Sequence, residues 1–141
     1  MIVNFYHLTA SPLERVLPTI CQGLAARGEK VLVVAPEAQL ARIDEQLWTF
    51  AADSFVPHGR ERAEAQPILL STAPEPLNGA ANILLADGEW REQALGFARA
   101  YYFFDSSGLD PARALWRTLK ANPEVEPHYW KQEGGRWVEG P

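Results

Sequence analysis

Lys30-Val-Leu-Val-Val-Ala35 is the strongest strand signal in the chain, with five consecutive apolar residues after a lysine. A short, nearly continuous apolar run is typical of a strand that is buried on both faces. A second strand is predicted upstream at Ile2-Val-Asn-Phe-Tyr-His7, which is rich in β-branched and aromatic residues. The segment between them, residues 11–27, predicts a helix. Strands joined by a helix run parallel to each other in one sheet, so the first 35 residues indicate an α/β fold.

The ends of this first helix are marked by residues with strong positional preferences. Ser11 as the N-cap, Pro12 in the next position and Glu14 two residues further on form a predicted capping box. Gly28 predicts the C-terminal stop. Pro18 lies inside the span and lacks a backbone N–H, so it is expected to kink the helix.

The alternation of strands and helices continues along the chain. Pro36 is expected to begin a second helix, whose buried stripe is Leu40, Ile43 and Leu47 at helical spacing. The next predicted elements are a polar loop at 59–66, strands at 67–71, 81–86 and 100–104, a short helix at 90–96 and a turn at 105–108.

The C-terminal part of the chain adds a third helix and a hairpin. The helix is predicted over residues 110–120, with Asp110 as its N-cap and Pro111 in the first helical position. Residues 128–138 predict a closing hairpin around Gly134-Gly135. These two elements complete the secondary structure that the pattern indicates.

Together these elements predict one α/β domain over residues 1–141, with a Rossmann-like, mostly parallel sheet flanked by helices and a C-terminal hairpin. The sequence contains neither a G-x-G-x-x-G nor a Walker A pattern. The domain therefore lacks a nucleotide-binding loop, and no nucleotide cofactor is expected.

Composition argues against several classes of protein. The chain has 141 residues, 47% of them apolar, and a net charge of −5. Direct binding to DNA or to an anionic membrane favours a basic surface, so neither is expected. Cys21 is the sole cysteine and the three histidines lack metal-binding spacing, so no disulfide and no metal site are expected. No apolar run approaches the ~20 residues of a membrane span, and a cytoplasmic location is expected.

The late helix carries a basic stripe with one large aromatic residue in its middle. At about 100° per residue, Arg113, Trp116, Arg117 and Lys120 share one face. Its core-facing stripe is Ala112, Leu115 and Leu119. Ordinary solvated charge is one interpretation. The other is an anion-binding site for an acidic peptide with an apolar or aromatic end. The single sign of charge, the tryptophan and the acidity of the whole chain support this second interpretation, and the residues alone leave both open.

A second surface feature combines two aromatic residues. Trp48 falls just off the apolar stripe of the second helix, and Phe55 lies in the connection that follows it. The pair could form a protein-binding patch. It could equally fold back as a small satellite core, and the pattern leaves both interpretations open.

Asp105 and His58 are the candidate catalytic residues. Asp105 ends a predicted strand, where α/β enzymes often place functional groups, but its favoured role is to form a turn and cap the backbone after it. His58 could act as an exposed general base, but the favoured role is that of a loop or capping residue. A small enzyme that uses the strand ends near these residues is the alternative function.

Several of these residues together resemble the chi subunit family of bacterial DNA polymerase III. The most specific match is Ile43-Asp-Glu-Gln-Leu-Trp48 followed by Ser54-Phe-Val-Pro-His58. Phe5-Tyr6, residues 27–33 and the late helix are similar to that family too, so the resemblance covers nearly the whole chain. It implies an accessory subunit, not the polymerase, with a single α/β domain that binds no nucleotide.

The resemblance also implies partners. The family joins the clamp-loader complex, in some bacteria through a partner called psi. It also binds the acidic C-terminal tail of the single-stranded DNA-binding protein, which ends in acids followed by Ile-Pro-Phe. Contact to psi or to the clamp loader is implied for Phe55, with Trp48 nearby in sequence. The residues implied for the tail site are Arg113, Trp116 and Arg117, with Lys120 on the same face.

The chain departs from the family pattern in three places. Leu109 stands where some relatives have a lysine, which removes one basic contact. Trp116 stands where a tyrosine is common. The hairpin beyond Trp130-Lys131 is longer than in those relatives.

Overall fold

Seven strands form one sheet in the computed structural model, which describes residues 1–49, 58–134 and 136–140. In chain order they are β1 (Ile2–His7), β2 (Val31–Val34), β3 (Ile68–Ser71), β4 (Asn82–Leu85), β5 (Arg99–Phe104), β6 (Glu126–Glu133) and β7 (Arg136–Gly140). The α-helices of the described ranges are α1 (Leu13–Ala26), α2 (Glu37–Thr49) and α3 (Leu109–Lys120). None of these helices combines the length and the hydropathy that crossing a membrane requires.

The strands lie in the order β3-β2-β4-β5-β1-β6-β7. Every neighbouring pair from β3 to β6 is parallel, and β7 runs antiparallel to β6. The predicted Rossmann-like, mostly parallel sheet with a C-terminal hairpin is therefore confirmed. One feature was not predicted from the sequence: β6 also pairs in parallel with β1, so that Tyr129 lies opposite Phe5.

Helices cover both faces of the sheet. On one face, α1 and α2 bury Leu17, Leu24 and Leu47 against the strands, and on the other α3 buries Ala112 and Leu119. Each fully buried leucine contributes about 1.5–3 kcal/mol relative to an exposed one, so a few such residues fix the position of each helix. The predicted buried stripe of α2, consisting of Leu40, Ile43 and Leu47, is confirmed.

The predicted capping box at the start of α1 is wrong. The helix begins at Leu13, its N-cap is Pro12, and no side chain caps it. The reason lies in β6, because the Gln132 side-chain oxygen accepts hydrogen bonds from the backbone N–H groups of Ala10 and Ser11 at 2.9 and 3.0 Å. These bonds hold the chain outside the helix until Pro12.

The C-terminal hairpin contains an ionic cross-link whose effect depends on pH. His128 in β6 hydrogen-bonds Glu139 in β7 and Glu126 in its own strand, and these bonds raise the pKa of His128, the Glu139 bond most strongly. A raised pKa means that the contribution to stability is complete below the ordinary value of 6.5 and is lost as pH rises through the raised pKa.

We therefore expect His128→Gln to lower the free energy of unfolding at pH 6 by roughly 0.5 kcal/mol, a small value because both glutamates are exposed. At pH 9 the variant and the wild type should unfold alike. Thermal unfolding of both proteins at the two pH values measures this difference. An equal loss at both values would show that the histidine acts by packing alone.

Candidate functional site

The helix that carries the basic stripe begins earlier than predicted. A 3-10 turn, Ser106–Gly108, leads directly into α3, so that Gly108 is the N-cap and Leu109 the first helical residue. The prediction of Asp110 as N-cap is therefore wrong. Its carboxylate instead lies in the first turn, where the helix dipole stabilises negative charge. Pro111 remains within the first turn, where a missing N–H costs no helical hydrogen bond.

Asp105 takes the structural role that the sequence analysis favoured. Its side chain accepts a hydrogen bond from the backbone N–H of Ser107 at 3.0 Å and another from the Ser107 hydroxyl. These bonds lower the pKa of Asp105, with the hydroxyl bond as the largest cause. The carboxylate thus fixes the turn before α3 and sets where that helix starts.

A groove of about 330 Å³ lies between α3 and β6. Arg113, Trp116 and Arg117, three of the four predicted stripe residues, lie in its wall. Its full lining is Leu109, Ala112, Arg113, Trp116, Arg117, Tyr129 and Lys131. The groove thus has an apolar and aromatic floor with basic groups around it.

Trp116 is half-buried, with its ring held by other aromatic rings. Its centroid lies 5.3 Å from that of Phe5 and 6.1 Å from that of Tyr129, both in edge-to-face geometry. The Lys120 ammonium lies 5.5 Å from the Trp116 ring centroid in a cation–π contact. Lys120 is therefore beside the indole but outside the groove lining. Because the indole is already positioned, an apolar ligand group can pack on it at little ordering cost.

The two arginines of the stripe are exposed and available. Among the residues that the structure describes, no ion pair involves Arg113 or Arg117. Other arginines of this acidic chain are paired, for example Arg91 with Asp87 and Arg99 with Glu29. A ligand carboxylate can therefore bind these guanidinium groups without first displacing an acidic side chain of the protein.

His7 supports the floor of the groove from the sheet side. Its Nδ1 lies 2.8 Å from the Tyr129 hydroxyl, and its ring stacks on Phe104 with centroids 4.8 Å apart. Burial lowers the pKa of His7, and the Arg113 charge lowers it further against the opposing effect of Asp105. A neutral imidazole therefore holds the Tyr129 ring in place beside Trp116.

Tyr129 and Lys131 were not identified as site residues from the sequence. Both belong to β6, and both point toward α3 because alternate residues of a strand share a face. A signal was present, since a strand, helix and strand in succession predict a parallel pair with the helix packed across it. Assigning residues 128–138 to a separate hairpin hid that signal.

The second predicted surface is described in part. Trp48, in the last turn of α2, is 58% exposed and lies off the buried stripe as predicted. Its ring contacts that of His58 edge-on, at 5.4 Å between centroids. Phe55, the other residue of the pair, lies outside the described residues. Trp48 is on the face of the sheet opposite the groove, because α2 and α3 cover different faces.

The geometry does not support a catalytic pair of Asp105 and His58. The His58 side chain is inaccessible to solvent, and its Nε2 lies 3.0 Å from Asp44. Gly59, the next residue, pairs with Leu69 at the outer edge of β3. Gly59 is therefore four strand positions from β5, or about 19 Å at the usual strand spacing. The two groups cannot act on one reacting atom, and the less favoured interpretation of His58 as an exposed general base is wrong.

The mostly parallel sheet with helices on both faces makes this a protein of the α/β class. The family model described as DNA polymerase III chi subunit, HolC, matches residues 1–124, and the chain belongs to that family. The family resemblance predicted from the sequence is confirmed. The protein is thus a non-catalytic accessory subunit of DNA polymerase III. No individual curated protein sequence matches the chain.

Proposed function

We propose that this accessory subunit binds the acidic C-terminal tail of the single-stranded DNA-binding protein in the groove between α3 and β6. The observation that carries the proposal is the pair of exposed guanidinium groups, Arg113 and Arg117, that line the groove together with a fixed indole in a chain of net charge −5. Carboxylates accept charge-assisted hydrogen bonds from the guanidinium groups. The apolar end of the tail packs on Trp116.

The same subunit links that protein to the clamp loader through a second surface. We propose that Trp48, together with Phe55, contacts psi or another clamp-loader subunit. The exposed indole is the kind of side chain that dominates binding energy at protein interfaces. Because Trp48 and the groove are on opposite faces of the sheet, both partners can be bound at once, and tethering raises their effective concentration.

We also propose where the subunit acts and which activities it lacks. It acts as a single domain over residues 1–141 in the cytoplasm, and it makes no direct contact with DNA because its net charge is negative. An enzyme at the strand ends is not proposed, since the family is non-catalytic and the Asp105 carboxylate serves as a cap.

A variant that loses the clamp-loader contact and keeps the tail-peptide contact tests whether the subunit links the two partners through separate surfaces. We expect Trp48→Ala to weaken binding to the purified clamp-loader complex by at least about tenfold, the loss of one interface hot spot, while leaving tail-peptide affinity unchanged. Surface plasmon resonance with the complex on one surface and the peptide on another measures both affinities.

Leu77→Ala is the matched control, because Leu77 is also a large apolar residue with 58% exposure. It should bind both surfaces like the wild type. If Trp48→Ala retained full affinity for the clamp loader, or lost affinity for both surfaces together, two independent contact surfaces would be ruled out.

A further inference from the structure

The two walls of the groove differ in their relation to the family. The α3 wall, with Arg113, Trp116 and Arg117, lies within the matched residues 1–124. The β6 wall, with Tyr129 and Lys131, lies beyond them. The strand outside the match therefore contributes part of the surface that a ligand would contact.

Lys131 is positioned over this groove by the strand on its other side. In the register of β6 and β7, Lys131 lies opposite Val138. Its side-chain stem crosses Gly140, where an added Cβ would come within 3.3 Å of the Lys131 Cε. The aliphatic part of the Lys131 side chain thus packs along the last residues of β7. An ordered stem loses less conformational freedom when its ammonium group binds a ligand.

The Lys131 ammonium has a weak ion pair at this position. Its Nζ lies 3.5 Å from a Glu133 carboxylate oxygen, and the side chains are 40% and 57% exposed. Exposed pairs of this kind contribute little to stability. A ligand carboxylate that also reaches Arg113 and Arg117 can therefore displace Glu133.

We propose that Lys131 is a further binding residue for the acidic ligand, held across the groove from the two arginines by β7. Glu133 competes with the ligand for the lysine and so sets the affinity of the site. This inference rests on the proposed binding of an acidic peptide in the groove. It adds a contact from the C-terminal hairpin and a residue that limits binding.

Two substitutions with opposite expected effects test the inference. Lys131→Ala should weaken binding of a fluorescein-labelled peptide of acidic residues ending in Ile-Pro-Phe by about 3- to 10-fold, as expected for one partly exposed charged contact. Glu133→Gln should strengthen it about 2- to 3-fold, because the lysine is released from its competing acid. Fluorescence anisotropy at low and high salt measures both changes.

Lys30→Ala is the matched control, since Lys30 is exposed at the start of β2, four strand positions from β6. It should bind like the wild type. With a peptide whose acids are replaced by amides, Lys131→Ala and the wild type should bind equally. If the wild type binds the acidic peptide and both Lys131→Ala and Glu133→Gln bind it with the same affinity, the proposed role of Lys131 is overturned and the proposed function stands. A wild type that does not bind would overturn the proposed function itself.

Discussion

Arg113→Ala and Arg117→Ala are each expected to weaken binding of the acidic tail peptide by about 1–3 kcal/mol, or roughly 5- to 150-fold. Each substitution removes an exposed guanidinium group from the wall of the groove. Since neither group takes part in an ion pair with a described residue, the loss falls on the ligand contact and the fold should remain intact. Isothermal titration calorimetry with the peptide measures the change, which should shrink as salt is added.

Arg15→Ala provides a control with the same change in charge. Arg15 is exposed on α1, which covers the opposite face of the sheet. Its substitution lowers the net charge equally, so it should reproduce any effect of overall charge and nothing more. Equal losses for Arg15→Ala and Arg113→Ala would mean that the peptide responds to the general field of the protein and not to the groove.

Trp116→Ala is expected to abolish measurable peptide binding and to destabilise the fold as well. The indole forms the apolar wall of the groove and packs edge-on against Phe5 and Tyr129. Removing a half-buried tryptophan should lower the free energy of unfolding by about 1.5–3 kcal/mol, less than the loss at a fully buried site. Peptide affinity should fall by at least about 2 kcal/mol, as for other aromatic hot spots.

Trp116→Tyr separates these two effects. A tyrosine keeps a flat ring at the same position, so its peptide affinity should stay within about threefold of the wild type. Urea unfolding gives the stability, and anisotropy at a temperature where every variant is folded gives the affinity. If folded Trp116→Ala still bound the peptide as the wild type does, the indole would have no part in the site.

The fold followed from the sequence because its strongest signals are local. The apolar run at Val31–Val34 and the buried stripe of α2 depend on spacing within one element, and the structure confirms both. The helix starts were less accurate. At Ser11 and Asp110, the outcome depends on bonds from elsewhere, such as the Gln132 side chain and the turn before α3.

The basic and aromatic residues on the helix side of the candidate site could be predicted from the sequence for the same reason. Arg113, Trp116 and Arg117 share one helical face, and helical periodicity alone brings them together. Tyr129 and Lys131 enter the site through the parallel pairing of β6 with β1, which joins residues more than 120 positions apart. The succession of strand, helix and strand indicates a parallel strand after α3, but no local pattern specifies that this strand pairs with β1, so the strand side of the groove required the structure.

The tryptophan side chains report directly on where an acidic peptide binds. The chain has five tryptophans, so its ¹H–¹⁵N spectrum should contain five indole signals, and Trp116→Phe and Trp48→Phe assign the two that matter. Titration of the labelled protein with the acidic tail peptide should shift the Trp116 indole signal and leave that of Trp48 in place. A saturable shift of the Trp48 signal with the Trp116 signal unmoved would contradict the account.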